Sequence, residues 1–254
     1  MGNAAAVRPD AEPPFDLAGD APGEAPPKRR MSTIGLGVVL VVVAYLLGSV
    51  PVGLLVGRLL GGVDPRREGS GRTGATNVLR SVGVGGAAVV LLLDIAKGAV
   101  AVLLAGSIFA TTSSAGAPWV AAAAGVAAVI GHIRSIFIGF GGGRGVATAA
   151  GGLLVMTPWS LLILAPILVV IIWRTRYVSL GSISAAFLAP IVAAGLALAG
   201  VATGASVAYA LVAGALVTWS HADNITRLRA GTERRLGERA PAPVGAVADG
   251  KEAR

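Results

Sequence analysis

Residues 84–109 read VGGAAVVLLLDIAKGAVAVLLAGSIF. The segment is apolar almost throughout, and its charged residues are Asp94 and Lys97. About 20 consecutive apolar residues are enough for an α-helix to cross the hydrocarbon core of a bilayer. This segment therefore predicts a transmembrane helix that carries an acid and a base three residues apart.

The composition of the whole chain points the same way. Of its 254 residues, 54% are hydrophobic and 13% are charged, and the mean hydropathy is +0.76. Soluble domains carry about 25% charged residues, so this chain has too little polar surface for a soluble fold. The formal net charge of +8 fits anionic lipids or anionic substrates better than nucleic acid. The absence of cysteine excludes disulfides and thiolate metal sites.

Seven apolar runs predict an all-α bundle of seven transmembrane helices, because backbone polar groups in lipid must be satisfied within the spanning segment. Pro51 lies inside the first run. Runs four and five are the weakest, and they can also be read as one segment that turns at Thr157 and Pro158. The runs cover residues 33–60, 84–109, 118–137, 145–156, 158–173, 180–199 and 206–219.

Both ends of the chain differ in composition from this region. Residues 1–32 are rich in proline and mixed in charge, and proline, glycine and alanine again predominate after Ala240. Such composition is typical of disorder. The sequence therefore predicts a disordered N-terminal tail at 1–32 and a disordered C-terminal tail at 237–254, on either side of a transmembrane domain at 33–236.

The arginines predict the orientation of the bundle. Connections after runs one, three, five and seven carry arginines, whereas connections after runs two, four and six carry no charge. Seven runs put all the arginine-rich connections on one side, which the positive-inside rule makes cytoplasmic. The N-terminal tail would then lie outside, against its own cluster Lys28-Arg29-Arg30, which the four later connections outweigh.

The first arginine-rich connection combines glycine with hydroxyl, amide and guanidinium groups. Glycine lets the backbone approach an anion, successive amides can form an anion-binding nest, and arginine matches the geometry of phosphate. The connection is a candidate phosphate site; the alternative is a flexible, glycine-rich cytosolic loop. Its candidate groups are Gly69, Ser70, Gly71, Thr76, Asn77 and Arg80.

A second candidate phosphate site is the sequence Gly142-Gly143-Arg144-Gly145, just before a helical run. The amides and the dipole at a helix N-terminus favour an anion. The Gly-Lys-Ser/Thr ending of a Walker A motif is missing, which argues against nucleotide binding. His132, further upstream, is another binding candidate, although a lone histidine at a membrane interface is more often structural.

Two further groups of polar residues stand out. His221 and Asn224 share a face if their segment is helical, and Glu233 follows them; an amphipathic basic helix on anionic lipid is the alternative. Asp94 and Lys97 lie inside the second run. Charge within a membrane points to function by default, but a mutually neutralising structural pair is the favoured interpretation here.

Together these motifs resemble the PlsY family, the bacterial membrane acyl-phosphate:glycerol-3-phosphate acyltransferases, over about residues 48–233. The resemblance implies a seven-helix enzyme of the inner membrane with its active site on the cytoplasmic face. It implies transfer of a fatty acyl group from acyl phosphate to the sn-1 hydroxyl of glycerol 3-phosphate, giving lysophosphatidic acid and phosphate. It further implies contact with membrane lipid, no metal or other cofactor, no nucleic acid and a monomer.

The resemblance also assigns roles to matching residues. The serine and arginine associated with activity match Ser70 and Arg80, and the last motif of the family matches His221 and Asn224, with His221 as the candidate general base. The leaving phosphate is the alternative proton acceptor. Glu233, Asp94 and Lys97 are taken as structural. The glycine-rich motif, associated with glycerol 3-phosphate binding, matches Gly142, Gly143, Arg144 and Gly145.

The chain departs from the family pattern at several positions. Arg72 stands where the family typically has asparagine, and Arg134-Ser135 stands where it has Phe-Pro. Gly141 and Arg144 stand where it has lysines, and Arg134 is a candidate replacement for the charge lost at Gly141. A divergent or inactive paralogue and a transporter of anionic solutes are therefore the alternatives. Transporters tend to bind near the membrane midplane, whereas these motifs cluster at one face.

Overall fold

The computed structural model describes residues 1–2 and 32–238. Within this part of the chain, helices and no strands are found, which confirms the all-α prediction; the predicted disorder of the tails concerns residues that lie largely outside it. Short 3-10 helices occur at Pro65–Arg67 and Ile136–Ile138. The α-helices are α1 (Thr33–Ser49), α2 (Val52–Gly61), α3 (Ala75–Ser81), α4 (Val84–Ala110), α5 (Ala117–Ile133), α6 (Val146–Met156), α7 (Pro158–Thr175), α8 (Val178–Leu198), α9 (Gly204–Ser220) and α10 (Ala222–Arg229).

Several of these helices are long and apolar enough to cross a membrane. They are α1 together with α2, then α4, α7 and α8, while α9 and α10 qualify as one pair bent by 58°. α5 has 17 residues and α6 has 11, so α6 spans only about 16 Å of a hydrocarbon core of about 30 Å. The chain is an integral membrane protein whose helices match the seven predicted runs in position. The count of seven spans stays a prediction.

The first predicted run is broken at Pro51, which separates α1 from α2. Proline has no N–H and clashes with the preceding turn, so it interrupts a helix. Side chains from elsewhere bond the carbonyl oxygens at the break. Ser135 Oγ donates to the Ser49 carbonyl oxygen at 2.5 Å, and Lys97 Nζ donates to that of Val50 at 3.0 Å. The polar backbone exposed by the break is thereby satisfied inside the membrane.

α5 lies at the centre of the bundle and contributes to two buried clusters. One joins it to α1 and α4, and the other joins it to α6, α7, α8 and α9. Alanine predominates in both clusters. Small side chains let helices approach closely, and this close packing drives helix association in lipid. The outer faces carry exposed large apolar side chains such as Leu103, Leu162 and Phe187, as expected for surfaces that contact lipid.

Candidate active site

A cavity of about 930 Å³ lies between the polar connections and the inner faces of α4, α6, α7, α8 and α9. At its polar end, the first loop (residues 62–74) and α3 meet the glycine-rich loop (residues 139–145) and α10. Most of the predicted site residues are brought together there. Those that line the cavity are Gly69, Ser70, Thr76, Asn77, Arg80, Asp94, His132, Arg144, Gly145, His221, Asn224 and Glu233.

Asn77 holds the first loop in shape. Its Nδ2 donates to the carbonyl oxygens of Pro65 at 2.6 Å, Glu68 at 3.1 Å and Arg72 at 2.8 Å. Its Oδ1 accepts from the Ser70 N–H at 2.9 Å, and the side chain is almost fully buried. The amide of Asn77 is therefore engaged within the protein, where it fixes the position of Ser70; its predicted contact with substrate stays a prediction.

The backbone of the first loop is also largely engaged. The amides of Ser70, Gly71 and Thr73 all donate to groups within the protein. Gly71 itself is exposed and does not line the cavity. Positive charge at this wall therefore comes from the side chains of Arg72 and Arg80 more than from a nest of free amides.

α6 begins at the cavity. Gly145, with a φ of 81°, occupies the position before the first helical residue. Arg144, Gly145, Val146 and Ala147 line the wall. The first amides of an α-helix have no acceptor within the helix and carry partial positive charge. The N-terminus of α6 thus lies where the sequence predicted an anion-binding helix start.

His132 lies beneath the glycine-rich loop. Its carbonyl oxygen accepts from the Gly143 N–H at 3.1 Å, and a Cβ atom at Gly143 would overlap its imidazole ring. Its Nδ1 lies 3.4 Å from the Asp94 carboxylate, which also pairs with Lys97 at 2.9 Å. Lys97, Gly142 and Gly143 do not line the cavity. The buried pair of Asp94 and Lys97 lies next to His132, and His132 in turn supports the glycine-rich loop.

His221 and Asn224 each present a hydrogen-bond acceptor at the end of α9 and the start of α10. His221 Nδ1 lies 2.7 Å from the Val217 carbonyl oxygen. A carbonyl oxygen only accepts, so Nδ1 carries the hydrogen and the neutral ring keeps its lone pair on Nε2. Asn224 Nδ2 donates to Glu233 Oε1 at 2.6 Å, which leaves Asn224 Oδ1 as a buried acceptor with no partner among the described residues.

Guanidinium groups outnumber carboxylates at the polar end. Arg144 pairs with Asp223 at 2.8 Å, and Arg227 pairs with Asp223 at 3.3 Å and with Glu233 at 2.7 Å. An excess of positive charge in a cleft attracts anions, and arginine binds phosphate through paired N–H groups. The arginines that line the cavity are Arg72, Arg80, Arg144, Arg227 and Arg234.

The crowding of these cations is visible in their pKa values. Burial lowers the pKa of Arg144; Asp223 partly offsets this effect and Arg72 adds to it. Burial and the neighbouring Arg234 lower the pKa of Arg80, and Glu233 and Glu238 partly offset this. Arginine still carries its charge at neutral pH, so the polar end holds several unneutralised cations that an anionic ligand would stabilise.

The proposed replacement of the missing lysine at Gly141 by Arg134 is wrong. The Arg134 guanidinium stacks on the Trp219 ring, 5.2 Å from its centroid, and Arg134 does not line the cavity. Gly141 pairs with Ser135 in an isolated antiparallel bridge. Arg72, by contrast, does line the cavity, so this departure from the family pattern adds charge to the site.

Sequence reasoning missed three charged residues of the polar end. Asp223 and Arg227 lie in the polar segment that starts at His221, and Arg234 follows Glu233, but none of the three is among the predicted site residues. Their position next to His221 and Asn224 in the sequence was the available signal. Within the described residues, no group of three or more histidine, aspartate or glutamate side chains is placed to hold a metal ion.

Away from the arginines, the cavity is apolar. Along α7, its lining extends from Leu161 to Ile172, a rise of about 16 Å. Facing it are small side chains of α8 and α9, including Ala189 and Ala213. One continuous cavity thus joins a cationic end to an apolar channel, an arrangement that suits an amphipathic ligand with an anionic head.

Glu233 ties the segment after α10 to α8. Its Oε1 accepts from Ser179 Oγ at 2.7 Å as well as from Asn224, and its Oε2 pairs with Arg227. Burial alone would raise the pKa of this carboxyl, but the hydrogen bonds from Ser179, Asn224 and Arg227 outweigh burial and lower it. The negative charge of Glu233 therefore holds together three elements of the polar end.

Known proteins resemble this chain over most of its length. A family model described as glycerol-3-phosphate acyltransferase matches residues 38–231. A glycerol-3-phosphate acyltransferase of a Synechococcus strain is 47% identical over 203 residues, which cover 80% of this chain and 96% of the relative. One from Thermus thermophilus is 46% identical over 202 residues, which cover 78% of this chain and 94% of the relative.

Two solved structures of PlsY, an integral membrane glycerol 3-phosphate acyltransferase, are similar in fold as well. The glycerol 3-phosphate form has a TM-score of 0.70 and 39% sequence identity, and the lysophosphatidic acid form has a TM-score of 0.69 and 37% identity. Each comparison covers 80% of this chain and 96% of the solved chain.

Glu233→Gln is expected to lower the free energy of unfolding at pH 7 by about 1–3 kcal/mol, because Arg227 loses its carboxylate partner. The folded pKa of Glu233 lies below its unfolded value of about 4.3. Its contribution is therefore present above that pH and is lost as the pH falls through the folded pKa. Denaturation in detergent at neutral and at acidic pH measures the gap between wild type and variant.

The matched control for this experiment is Glu68→Gln, which neutralises an exposed carboxylate of the first loop. This variant is expected to stay close to wild type at every pH. A gap between wild type and Glu233→Gln that does not narrow in acid would contradict the role of the carboxylate charge.

Proposed function

Because the chain belongs to the glycerol-3-phosphate acyltransferase family, we propose that it transfers a fatty acyl group from acyl phosphate to the sn-1 hydroxyl of glycerol 3-phosphate. The products are lysophosphatidic acid and inorganic phosphate, and the reaction is the first acylation of phospholipid synthesis. The reaction requires sites for two phosphate groups, room for an acyl tail and an acceptor for one proton.

The excess of guanidinium groups is the observation that carries this proposal. Both substrates bear phosphate, and the transition state gains negative charge on the attacked carbonyl oxygen. Five arginines line one end of the cavity, and Asp223 and Glu233 neutralise only part of their charge. Arg80 and Ser70 on one wall, and Arg144 on the other, are the proposed phosphate contacts.

The apolar channel suits the fatty acyl tail. Leucine and isoleucine side chains of α7 face alanines of α8 and α9 along it, so a hydrocarbon chain placed there is removed from water. The phosphate end of the same substrate then lies among the arginines. A solute transporter has no use for such a channel, which favours acyl transfer over transport.

His221 and Asn224 suit the acceptor alcohol. The hydroxyl oxygen of glycerol 3-phosphate attacks the acyl carbon, and the bond from that carbon to the phosphate oxygen breaks. The hydroxyl proton passes to His221 Nε2 and from there to the leaving phosphate. Asn224 Oδ1, an acceptor, holds a hydroxyl of glycerol 3-phosphate. Phosphate is a good leaving group, so no protein nucleophile is required.

We place this site at the cytoplasmic face of the bacterial inner membrane. All the cavity arginines belong to connections that the positive-inside rule assigns to that face. A water-soluble acceptor reaches the site from the cytoplasm, while the acyl chain lies among the transmembrane helices. We further propose that a monomer is active and that no cofactor takes part, since the acyl phosphate already carries a good leaving group.

An assay of acyl transfer tests this function directly. Purified protein in detergent, given acyl phosphate and labelled glycerol 3-phosphate, is expected to form labelled lysophosphatidic acid. The double variant Arg80→Gln/Arg144→Gln, which removes one cation from each wall, is the matched negative control. Absence of product from the wild type at several acyl-chain lengths would exclude the acyltransferase and favour an inactive paralogue.

His221→Ala is expected to lower kcat by about 10²–10⁴-fold, because the proton acceptor for the attacking hydroxyl is lost. Steady-state turnover at saturating concentrations of both substrates measures the effect. Thr226→Ala, at an exposed position of α10, is the control and is expected to turn over like the wild type. Nearly unchanged turnover of His221→Ala would rule out the base and leave the proton to the departing phosphate.

A further inference from the structure

The chain after α10 returns across the polar end of the cavity. In this segment (residues 231–238), which we call the strap, Arg234 and Leu236 line the cavity. The Leu236 N–H donates to the Arg176 carbonyl oxygen, and the Arg176 guanidinium donates to the Leu236 carbonyl oxygen, both at 2.7 Å. This reciprocal pair of hydrogen bonds fastens the strap to the turn between α7 and α8.

Arg234 brings an unpaired guanidinium to the cavity. Its Nη1 is buried and has no hydrogen-bond partner among the described residues. This atom lies beside the first loop, 3.8 Å from where a Cβ atom of Gly69 would be. The neighbouring carboxylate, Glu233, is already bonded to Ser179, Asn224 and Arg227. A buried N–H group without a partner is unfavourable, so Arg234 is suited to a ligand that accepts hydrogen bonds.

Arg80 offers a second unpaired guanidinium on the same wall. Within residues 32–238, neither Arg80 nor Arg234 takes part in an ion pair. Both side chains line the cavity beside the first loop. Burial and the charge of Arg234 lower the pKa of Arg80, and Glu233 and Glu238 only partly offset this. The two positive charges repel each other, and an anion bound between them would offset this repulsion. A phosphate group can accept paired hydrogen bonds from both.

We propose that Arg234 and Arg80 together form a phosphate subsite, and that Arg176 positions Arg234 by fastening the strap. The proposal rests on the proposed function for the identity of the ligand, since the phosphate belongs either to glycerol 3-phosphate or to acyl phosphate. Arg144 differs from this pair because it forms an ion pair with Asp223, a carboxylate that it shares with Arg227.

Inorganic phosphate is the probe that tests the subsite without turnover. At constant ionic strength, phosphate is expected to raise the unfolding temperature of the wild type in detergent. Arg234→Gln is expected to need about tenfold more phosphate for the same shift. Arg234→Lys is expected to need an intermediate phosphate concentration, since an ammonium keeps the charge but lacks the paired N–H groups of a guanidinium.

The matched control is Arg229→Gln, which removes the same charge from an exposed position of α10 outside the cavity lining. This variant is expected to respond to phosphate like the wild type. A wild type that phosphate does not stabilise would overturn the subsite. Equal phosphate responses of Arg234→Gln and Arg229→Gln would overturn it too.

Turnover identifies which substrate supplies the phosphate. In Arg234→Gln, a raised KM for glycerol 3-phosphate assigns the subsite to the acceptor, and a raised KM for acyl phosphate assigns it to the donor. Unchanged KM values for both would overturn the proposal. If the wild type shows no turnover at all, the proposed function fails, while the phosphate response still tests the subsite.

Arg176→Gln separates positioning from a general loss of structure. This variant is expected to raise the same KM as Arg234→Gln, with kcat less affected, because the strap is loosened. In the Arg234→Gln background, the change at Arg176 is expected to have no further effect on that KM. If Arg176→Gln raised that KM by the same factor in the Arg234→Gln background as in the wild type, Arg176 would not act by positioning Arg234.

Discussion

One buried ammonium group lies between the helix break that precedes the first loop and the carboxylate that faces His132. Lys97 Nζ lies 2.9 Å from the Asp94 carboxylate and 3.0 Å from the Val50 carbonyl oxygen at the break in the first span. Both charged side chains are almost fully buried, so each depends on the other for compensation. Asp94 also faces His132, which supports the glycine-rich loop. The pair of Lys97 and Asp94 therefore connects the helix break before the first loop with His132, which supports the glycine-rich loop.

At the polar end of the cavity, by contrast, positive charge exceeds negative charge. There, Asp223 and Glu233 hold Arg144 and Arg227 in place, and the other arginines are left without carboxylate partners of their own. Compensated charge inside the membrane gives the site its shape, and the uncompensated charge attracts the phosphate groups of the proposed substrates. The apolar channel below completes a cavity for a molecule with an anionic head and a hydrocarbon tail.

The apolar helices were predictable because the length and composition of a membrane helix are local properties of the sequence. The motifs of the cavity wall were visible too, since glycine, arginine and hydroxyl residues stand close together in the chain. Long-range contacts were not predictable. Pro51 marked a break, but nothing local showed that Lys97 and Ser135 bond the carbonyl oxygens beside it. Arg234 reaches the cavity only because the strap folds back onto Arg176.

The dependence of Lys97 and Asp94 on each other is most directly tested by a double-mutant cycle of unfolding free energies in detergent. Lys97→Met alone is expected to cost about 3–5 kcal/mol, because it leaves a buried carboxylate uncompensated. The double variant Lys97→Met/Asp94→Leu is expected to lose much less than the sum of the two single variants, since no isolated charge remains. A loss of unfolding free energy in the double variant equal to the sum of the two single losses would contradict the mutual dependence of Lys97 and Asp94.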